Sequence, residues 1–251
     1  MNELKNLKKE KLKDIKLVVF DLDGVLVPRG TKIRQNKNVT TLETKKIKRE
    51  QVEQIKNLNN LGIKINISSG RGLYMLQEMF REVLDFVSLT YENGSATWLT
   101  GKIYQHVDSY NNLKKIIFEL TKIKDKRIKG FEPKEFIITI HCKSRVEKIE
   151  KIVSKYKELY TIWNGEAYDI GIKDKQTKAV GLKKLMEIFK LKKKNILIIG
   201  DNYNDKEIFS KAGIRISSDK TRLKGDYYVP LKGKFLPADL LMQHLLRELK
   251  K

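Results

Sequence analysis

Four aspartates occur as two pairs, and each pair follows a short apolar run. Asp21 and Asp23 lie two residues apart, whereas Asp201 and Asp205 lie four apart. Side chains alternate along an extended chain, so the first two carboxylates point the same way, with their Cα atoms about 6–7 Å apart. Carboxylates gathered at one place repel each other unless a cation lies among them. Because no His or Cys lies nearby, these hard oxygen donors predict Mg²⁺ as the cofactor.

A third polar segment could bind a phosphate group. Ser69, Gly70 and Arg71 follow another apolar run and precede a helical pattern, which places a hydroxyl and backbone N–H groups at a helix N-terminus. Lys178 begins a later helix and supplies positive charge. Together with a metal ion, these groups suit phosphoryl transfer, which needs mainly positioning and charge stabilisation. The expected partner is therefore a small phosphorylated substrate.

The elements that position these residues alternate between strands and helices. Apolar runs at 17–20, 63–67 and 196–199 are typical of buried strands, and 3.6-residue spacing predicts helices over 73–84 and 182–189. This alternation predicts an α/β fold, with a parallel sheet covered by helices on both faces. Ligands bind such a sheet beyond the carboxyl ends of its strands. We therefore expect the polar segments to meet at one edge.

The middle of the chain has a different pattern, in which strands and helices do not alternate regularly. We expect a small α+β unit over residues 98–172, inserted into a main domain that comprises 1–97 and 173–251. The elements expected in the insertion are strands at 136–140, 160–163 and 167–172 and helices at 113–120 and 146–156.

With these residues in place, the chain resembles the haloacid dehalogenase (HAD) superfamily. Four motifs of that family occur in order: Asp21-Leu22-Asp23-Gly24-Val25, Ser69, Lys178 and Gly200-Asp201-(x)-(x)-Asn204-Asp205. Tyr91-Glu92-Asn93-Gly94-Ser95, followed by a long insertion, is similar to the Cof-like branch with the larger α/β cap. That branch includes sugar-phosphate, phosphoglycolate and sucrose-phosphate phosphatases and phosphomannomutases. The resemblance covers nearly the whole chain and implies a Rossmann-like parallel-sheet HAD core with an inserted α+β cap domain.

The resemblance also implies a role for each motif residue. Asp21 would be the nucleophile that forms an aspartyl-phosphate, and Asp23 would protonate the leaving alkoxide and then take a proton from water. The implied ligands of Mg²⁺ are the Asp21 carboxylate, the Asp23 backbone carbonyl, Asp201 and Asp205. The implied phosphate- and substrate-binding residues are Ser69, Gly70, Arg71, Lys178 and Asn204, the last of which would also orient the metal ligands. Two alternatives stay open: Arg71 as a surface salt-bridge partner, and Lys175 in place of Lys178.

The composition limits the class of protein. The chain has 251 residues, a formal net charge of +22 and 40% hydrophobic residues, which is enough for a packed core. A single cysteine, Cys142, excludes an internal disulfide framework. No apolar run approaches the roughly 18 residues of a membrane span, and residues 1–16 lack the apolar stretch of a secretory signal. We expect a cytoplasmic protein with no membrane partner, and the sequence indicates no particular oligomeric state.

The leading hypothesis is a Mg²⁺-dependent phosphatase for a small metabolite of the sugar-phosphate or phosphoglycolate type. A phosphomutase is the runner-up, because residues 21–33, which include Arg29, resemble the phosphomannomutase opening. The third hypothesis is a basic nucleic-acid-binding protein with an inert core, suggested by the charge of +22. The intact acidic motifs and the lack of a nucleic-acid-binding motif disfavour it. Lys143, Arg145, Asn164 and Glu166 lie in the expected cap, but the sequence does not place them well enough to name them as substrate ligands.

Overall fold

The structure, a computed structural model, describes residues 1–36 and 39–251. The strands in this part are β1 (Asn2–Glu3), β2 (Leu17–Asp21), β3 (Lys32–Asn36), β4 (Val39–Glu43), β5 (Lys64–Ser68), β6 (Val87–Tyr91), β7 (Ala96–Leu99), β8 (Lys102–Gln105), β9 (Ile128–Glu132), β10 (Ile138–Cys142), β11 (Leu159–Trp163), β12 (Ala167–Ile172), β13 (Ile196–Gly200), β14 (Ile214–Ser217) and β15 (Tyr227–Tyr228). The α-helices are α1 (Lys9–Leu12), α2 (Arg49–Asn60), α3 (Leu73–Met79), α4 (Tyr110–Leu120), α5 (Glu147–Val153), α6 (Lys178–Phe189), α7 (Lys206–Phe209) and α8 (Pro237–Leu249). Within the described ranges, no helix is long and apolar enough to cross a membrane.

The largest sheet is mostly parallel, which confirms the predicted fold class. Its strand order is β1-β15-β14-β13-β2-β5-β6-β7-β8. Pairing is parallel from β1 through β6, and only β7 and β8 add to the edge in antiparallel fashion. β2 lies between β13 and β5, so the three strands that precede the polar segments are neighbours.

The central strand β2 packs against a separate apolar core on each face. Val18 and Phe20 join the cluster that includes α2 and α8, whereas Leu17 and Val19 join the cluster that includes α6 and α7. All four side chains are at most 1% exposed. A strand buried on both faces needs apolar residues at every position, which explains its unbroken apolar sequence.

A second sheet is antiparallel and four-stranded, and helices cover one of its faces. Its order is β11-β12-β10-β9, and α4 and α5 pack against it. Ile138 and Ile140 of β10 join the apolar cluster under these helices. The alternate residues Thr139 and His141 line a cavity on the opposite face. The alternation of apolar and polar residues along β10 follows from the two-residue period of a strand.

A short hairpin of β3 and β4 belongs to neither of these sheets and was not predicted from the sequence. Most of its residues are exposed or half-buried, and Ile33 is the buried residue of β3. These strands contain few apolar residues, so no apolar run in the sequence indicates them. Gln35 Oε1 accepts the N–H of Phe131 at 3.2 Å, so the hairpin contacts the edge of the four-stranded sheet at β9.

The inserted unit was expected to begin at residue 98. That residue lies inside β7, and both β7 and β8 hydrogen-bond to the large sheet. The sequences of β7 and β8 do not indicate which of the two sheets these strands join. On this pairing we propose that the inserted unit begins between β8 and α4 and ends after β12.

Two predicted elements have different bounds in the structure. The helix expected over 73–84 ends at Met79, because Phe80 leaves the helical region with φ −108° and ψ 15° and a 3-10 segment follows. The strand expected at 136–140 begins at Ile138 instead. The N–H groups of Phe136 and Ile137 donate to the carboxylate of Glu92 rather than to a neighbouring strand.

Candidate active site

Three neighbouring strands end at one edge of the large sheet and bring the polar segments together. Asp21 is the last residue of β2 and pairs in register with Ser68 of β5. Asp201 follows β13, whose Ile199 pairs with Phe20 of β2. The carboxyl ends of parallel strands therefore place the aspartate and serine motifs side by side, as predicted.

Three of the four motif aspartates form a compact acidic cluster. One carboxylate oxygen from each of Asp21, Asp201 and Asp205 lies within 4.8 Å of the others. Burial, with repulsion from Asp205 and Asp201, raises the pKa of Asp21 well above its ordinary value, although Lys178 opposes the shift. Burial also raises the pKa of Asp201. Hard oxygen donors that carry excess negative charge fit Mg²⁺, since a divalent cation would relieve their repulsion.

Lys178 is the cation that contacts two members of this cluster. Its amine donates to Asp21 Oδ1 and to Asp205 Oδ1, each at 2.7 Å. Burial opposes a charged amine, but the carboxylates of Asp205 and Asp21 outweigh burial and raise the pKa of Lys178. Lys175, the alternative considered from the sequence, is exposed. The structure therefore brings Lys178, not Lys175, to the aspartates.

Glycine contacts and a helix cap fix the position of Lys178. Thr177 caps α6 by accepting the N–H of Val180 at 3.3 Å. At Gly94, where φ is +84°, a Cβ would collide with the carbonyl oxygen of Thr177. A Cβ at Gly181 would lie 2.7 Å from the Cα of Gly94. The two glycines thus let the start of α6 approach the loop after β6.

Two arginines pair with the remaining acidic groups. Arg71 contacts both oxygens of Asp23, with Nε at 3.0 Å and Nη2 at 2.6 Å, and also donates to Thr44 Oγ1 at 2.8 Å. Arg29 donates to Asp201. Arg71 is thus a salt-bridge partner, but of Asp23 within the site rather than at the surface. The sequence marks Arg29 only through the resemblance of residues 21–33 to the phosphomannomutase opening.

The other predicted site residues line the same cavity with fewer contacts. Ser69 is buried, and its Oγ accepts the N–H of Arg71 at 3.1 Å. Gly70 lies where a Cβ would be 2.9 Å from Asn93 Oδ1, so a larger residue would not fit without a shift. Asn204 is exposed and lines the cavity, but no hydrogen bond links its side chain to Asp201 or Asp205 in the described part of the chain.

The cavity lies between the large sheet and the four-stranded sheet and has a volume of about 190 Å³. Asp21, Ser69 and Lys178 line one side. The opposite side carries the cap residues Glu132, Lys134, Thr139, His141, Asn164, Glu166 and Asp169. Of the four cap candidates from the sequence, Asn164 and Glu166 reach the cavity, whereas Lys143 and Arg145 are exposed and do not line it.

Sequence reasoning missed Lys134 and His141 as cavity residues. Lys134 Nζ donates to the carbonyl oxygen of Gly70 at 2.8 Å and thereby joins the two sides of the cavity. His141 forms a 2.8 Å contact with Glu132. No local pattern distinguishes one lysine among many. The alternation of β10 was the only signal for His141.

Glu92 clamps the loop after β6 to the backbone of the cap. Its Oε1 accepts the N–H of Glu135 at 3.0 Å, and its Oε2 accepts those of Phe136 at 2.6 Å and Ile137 at 3.1 Å. The residue is 1% exposed. Burial raises the pKa of Glu92, and the backbone hydrogen bonds oppose this effect. A single carboxylate therefore satisfies three consecutive backbone donors.

We expect Glu92→Gln to lower the free energy of unfolding by about 1–3 kcal/mol, because an amide offers one acceptor oxygen and leaves a buried N–H without a partner. Urea denaturation of the wild type and variant measures this difference. Glu135→Gln, an exposed change in the same contact region, is the matched control. A loss below about 0.5 kcal/mol for Glu92→Gln would contradict the clamp, since it is typical of surface substitutions.

Comparison with known sequences identifies similar proteins over most of the chain. The family model described as haloacid dehalogenase-like hydrolase matches residues 18–139 and 108–218. The chain is 26% identical over 203 residues to Phosphoglycolate phosphatase 1 of Saccharolobus solfataricus, which covers 81% of this chain and 82% of the relative.

Solved structures share the fold at lower sequence identity. A phosphatase of the haloalkanoate (HAD) enzyme superfamily from Bacteroides thetaiotaomicron has a TM-score of 0.69 at 18% identity and covers 93% of this chain and 95% of its own. A protein from Thermotoga maritima has a TM-score of 0.68 at 18% identity, with 93% and 97% covered. A haloacid dehalogenase-like hydrolase from B. subtilis has a TM-score of 0.64 at 15% identity, with 93% and 99% covered.

Proposed function

Because this chain belongs to the family of haloacid dehalogenase-like hydrolases, we propose that it hydrolyses a small phosphate monoester through an aspartyl-phosphate on Asp21. The match to this family and to a phosphatase relative confirms the prediction of a HAD-type phosphatase. The substrate that we propose is a sugar phosphate or a compound of the phosphoglycolate type. The contact that supports this proposal most directly is that of Lys178 with Asp21 and Asp205 at the floor of the cavity.

The Asp21 carboxylate is oriented for attack by two donors on one oxygen. Its Oδ1 accepts the N–H of Leu22 at 2.8 Å and the amine of Lys178 at 2.7 Å. We propose that Oδ2 attacks the phosphorus atom and that the alcohol leaves on the side of the cap. Lys178 then balances the charge on the transferred phosphoryl group, and Ser69 and the backbone of Gly70 hold its oxygens.

Asp23 is placed to move the proton but is held by Arg71. An ion pair favours a carboxylate over a carboxylic acid. Asp23 must therefore leave Arg71 before it can protonate the alkoxide. We propose that the phosphate group attracts Arg71 and so releases Asp23. Once free of Arg71, Asp23 takes up a proton from solvent, donates it to the leaving alkoxide, and later takes a proton from the water that hydrolyses the aspartyl-phosphate.

Asp21, Asp201, Asp205 and the backbone carbonyl of Asp23 are the groups that we propose to hold Mg²⁺. When bound, the ion would polarise the phosphoryl oxygens and screen the negative nucleophile from the negative phosphate. The fit rests on the oxygen donor set, since one carboxylate oxygen from each of Asp21, Asp201 and Asp205 lies within 4.8 Å of the others.

We expect phosphate release from a panel of phosphate monoesters to stop in the presence of EDTA and to resume with Mg²⁺. Asp201→Asn is expected to raise the Mg²⁺ concentration for half-maximal activity by about tenfold or more, because one ligand charge is lost. Glu207→Gln, an exposed carboxylate on α7, is the control with the same change in charge and should leave this concentration unchanged. Full activity in EDTA would contradict the metal site.

The two rival hypotheses receive less support from the geometry. A phosphomutase must also hold a second phosphate, but the cap side of the cavity carries Glu132, Glu166 and Asp169. An inert core is disfavoured because Lys178 and the aspartates lie together at the carboxyl ends of the parallel strands, where such sheets bind ligands. The charge of +22 then reflects a lysine-biased surface.

A further inference from the structure

The cap side of the cavity is a polar wall with more acidic than basic groups. It is formed by one face of the four-stranded sheet, whose other face packs on α4 and α5. Three carboxylates line it, from Glu132, Glu166 and Asp169, against the single ammonium of Lys134. The leaving alcohol of a substrate bound at Asp21 would face this wall.

The ammonium of Lys134 is already held by protein groups. Its side chain is 3% exposed, and Nζ lies 3.4 Å from Glu132 Oε1 and 3.8 Å from Asp169 Oδ1. It donates its hydrogen bond to the carbonyl oxygen of Gly70. Burial opposes the charge of this amine, but Glu132 and Asp169 outweigh burial and raise its pKa. Lys134 is therefore charged and already balanced by two carboxylates.

Glu132 provides an independent indication that this wall binds a hydrogen-bond donor. Its side chain is 5% exposed and lines the cavity. Its Oε2 contacts His141, whereas its buried Oε1 meets the ammonium of Lys134 at 3.4 Å but accepts no hydrogen bond. A buried carboxylate oxygen that accepts no hydrogen bond destabilises the protein, because nothing replaces the hydrogen bonds that the oxygen made to water. A donor supplied by a ligand would satisfy it.

Each cation on the core side of the cavity also faces a carboxylate. Arg71 pairs with Asp23, Arg29 with Asp201, and Lys178 with two aspartates. We have assigned the charge of Lys178 and Arg71 to the transferred phosphate. A second anionic group on the substrate would therefore meet Glu132, Glu166 and Asp169 without a cation of its own, and such like-charge contacts disfavour binding strongly.

On these contacts, and resting on the proposed phosphatase function, we propose that the cap wall selects phosphate monoesters of donor-bearing alcohols. The alcohol carries hydroxyl or ammonium groups toward Glu132, Glu166 and Asp169 and no second anion. Amino-alcohol and polyol phosphates fit this class, whereas carboxylate-bearing compounds such as phosphoglycolate do not. The proposed function includes both sugar phosphates and compounds of the phosphoglycolate type, and this inference favours the first over the second.

Three substrates of nearly equal size test this inference: 2-aminoethyl phosphate, 2-hydroxyethyl phosphate and phosphoglycolate. They share a phosphorylated methylene group and differ in the group attached to it, which is an aminomethyl, a hydroxymethyl or a carboxylate. We expect kcat/KM for each of the first two to exceed that for phosphoglycolate by about tenfold or more. Equal or greater kcat/KM for phosphoglycolate would overturn the inference while leaving the phosphatase function intact.

Variants of the wall provide a second readout. Glu132→Gln and Glu166→Gln should each raise the ratio of kcat/KM for phosphoglycolate to that for 2-aminoethyl phosphate by about fivefold, because each removes one negative charge. Glu166 is exposed, so its variant is informative even if the buried Glu132→Gln fails to fold. Glu158→Gln, an exposed cap carboxylate outside the cavity, is the control. An unchanged ratio in the folded wall variants would overturn the assignment.

A binding measurement tests the selectivity of the cap wall even if the protein does not hydrolyse phosphate monoesters. p-Nitrophenyl phosphate reports whether any phosphate monoester is hydrolysed, and its failure would count against the phosphatase function. In that case, calorimetric titration of the three compounds into Asp21→Asn with Mg²⁺ decides the inference by itself. Tighter binding of the ammonium and hydroxyl compounds supports it, whereas tighter binding of phosphoglycolate, or binding of none of them, overturns it.

Discussion

Replacing Asp21 by Asn is expected to lower kcat/KM for phosphate monoesters by about four orders of magnitude or more, because the variant retains the cavity but loses the nucleophile. An amide oxygen is a poor nucleophile, and it carries no charge to attract a metal ion. Steady-state phosphate release with the best substrate of the panel measures the loss. Residual activity within about a hundredfold of the wild type would show that another group attacks phosphorus.

The same substitution provides its own control against unfolding, because we expect Asp21→Asn to be more stable than the wild type at neutral pH. An aspartate has an ordinary pKa of 3.8, and burial raises that of Asp21 in the folded protein. The folded protein therefore binds this proton more tightly than the unfolded chain, so the wild type loses stability as pH rises from about 4 through the raised pKa. An uncharged Asn escapes this loss. Thermal unfolding in EDTA should show equal stability at pH 4 and a higher midpoint for the variant at pH 7.

Lys178→Met is expected to have the second largest effect, on both activity and stability. The variant leaves the carboxylates of Asp21 and Asp205 buried without their shared cation. We expect kcat/KM to fall by about 10²–10³-fold, since a preorganised positive charge is lost from the transferred phosphoryl group. The free energy of unfolding should fall by about 3–5 kcal/mol, as for the removal of one partner from a buried ion pair. Because burial is outweighed by the two carboxylates, the pKa of Lys178 is raised, so this contribution is fully present at neutral pH.

Two further variants separate charge from position at Lys178. Lys178→Arg keeps the charge but has a larger, planar head group whose donors are placed differently from those of an amine, so we expect it to recover stability more than activity. Lys175→Met removes an exposed lysine three residues earlier and should leave both quantities unchanged. Urea denaturation and phosphate release measure the two effects. A larger loss of activity for Lys175→Met than for Lys178→Met would reverse the assignment.

The parts of the fold that the sequence predicts are those governed by local burial. β2 and β13 are apolar at nearly every position because both faces are covered, and these runs are visible without any tertiary information. β5 is marked instead by the alternation of Ile65 and Ile67 with polar residues. The residues after each run then lie at the sheet edge by geometry alone. Asp21, Ser69 and Asp201 could therefore be placed together before the structure was known.

The parts that the sequence does not predict depend on contacts between distant segments. β7 pairs with β6 in antiparallel fashion near one edge of the large sheet, and nothing in its own sequence indicates this pairing. The boundary expected at residue 98 lies inside this strand. The start of β10 depends on Glu92, which takes the N–H groups of Phe136 and Ile137. Lys134 reaches Gly70 across 64 residues, and nothing in its own neighbourhood indicates this contact.

The most direct test of the proposed mechanism is chemical trapping of the phosphorylated enzyme. The protein would be quenched with acid during turnover of a ³²P-labelled phosphate monoester with Mg²⁺, and the labelled peptide would be identified by mass spectrometry. We predict a hydroxylamine-labile label on the peptide that contains Asp21, and none in Asp21→Asn. Label on a different residue, or turnover by Asp21→Asn at the rate of the wild type, would contradict the assignment of Asp21 as the nucleophile.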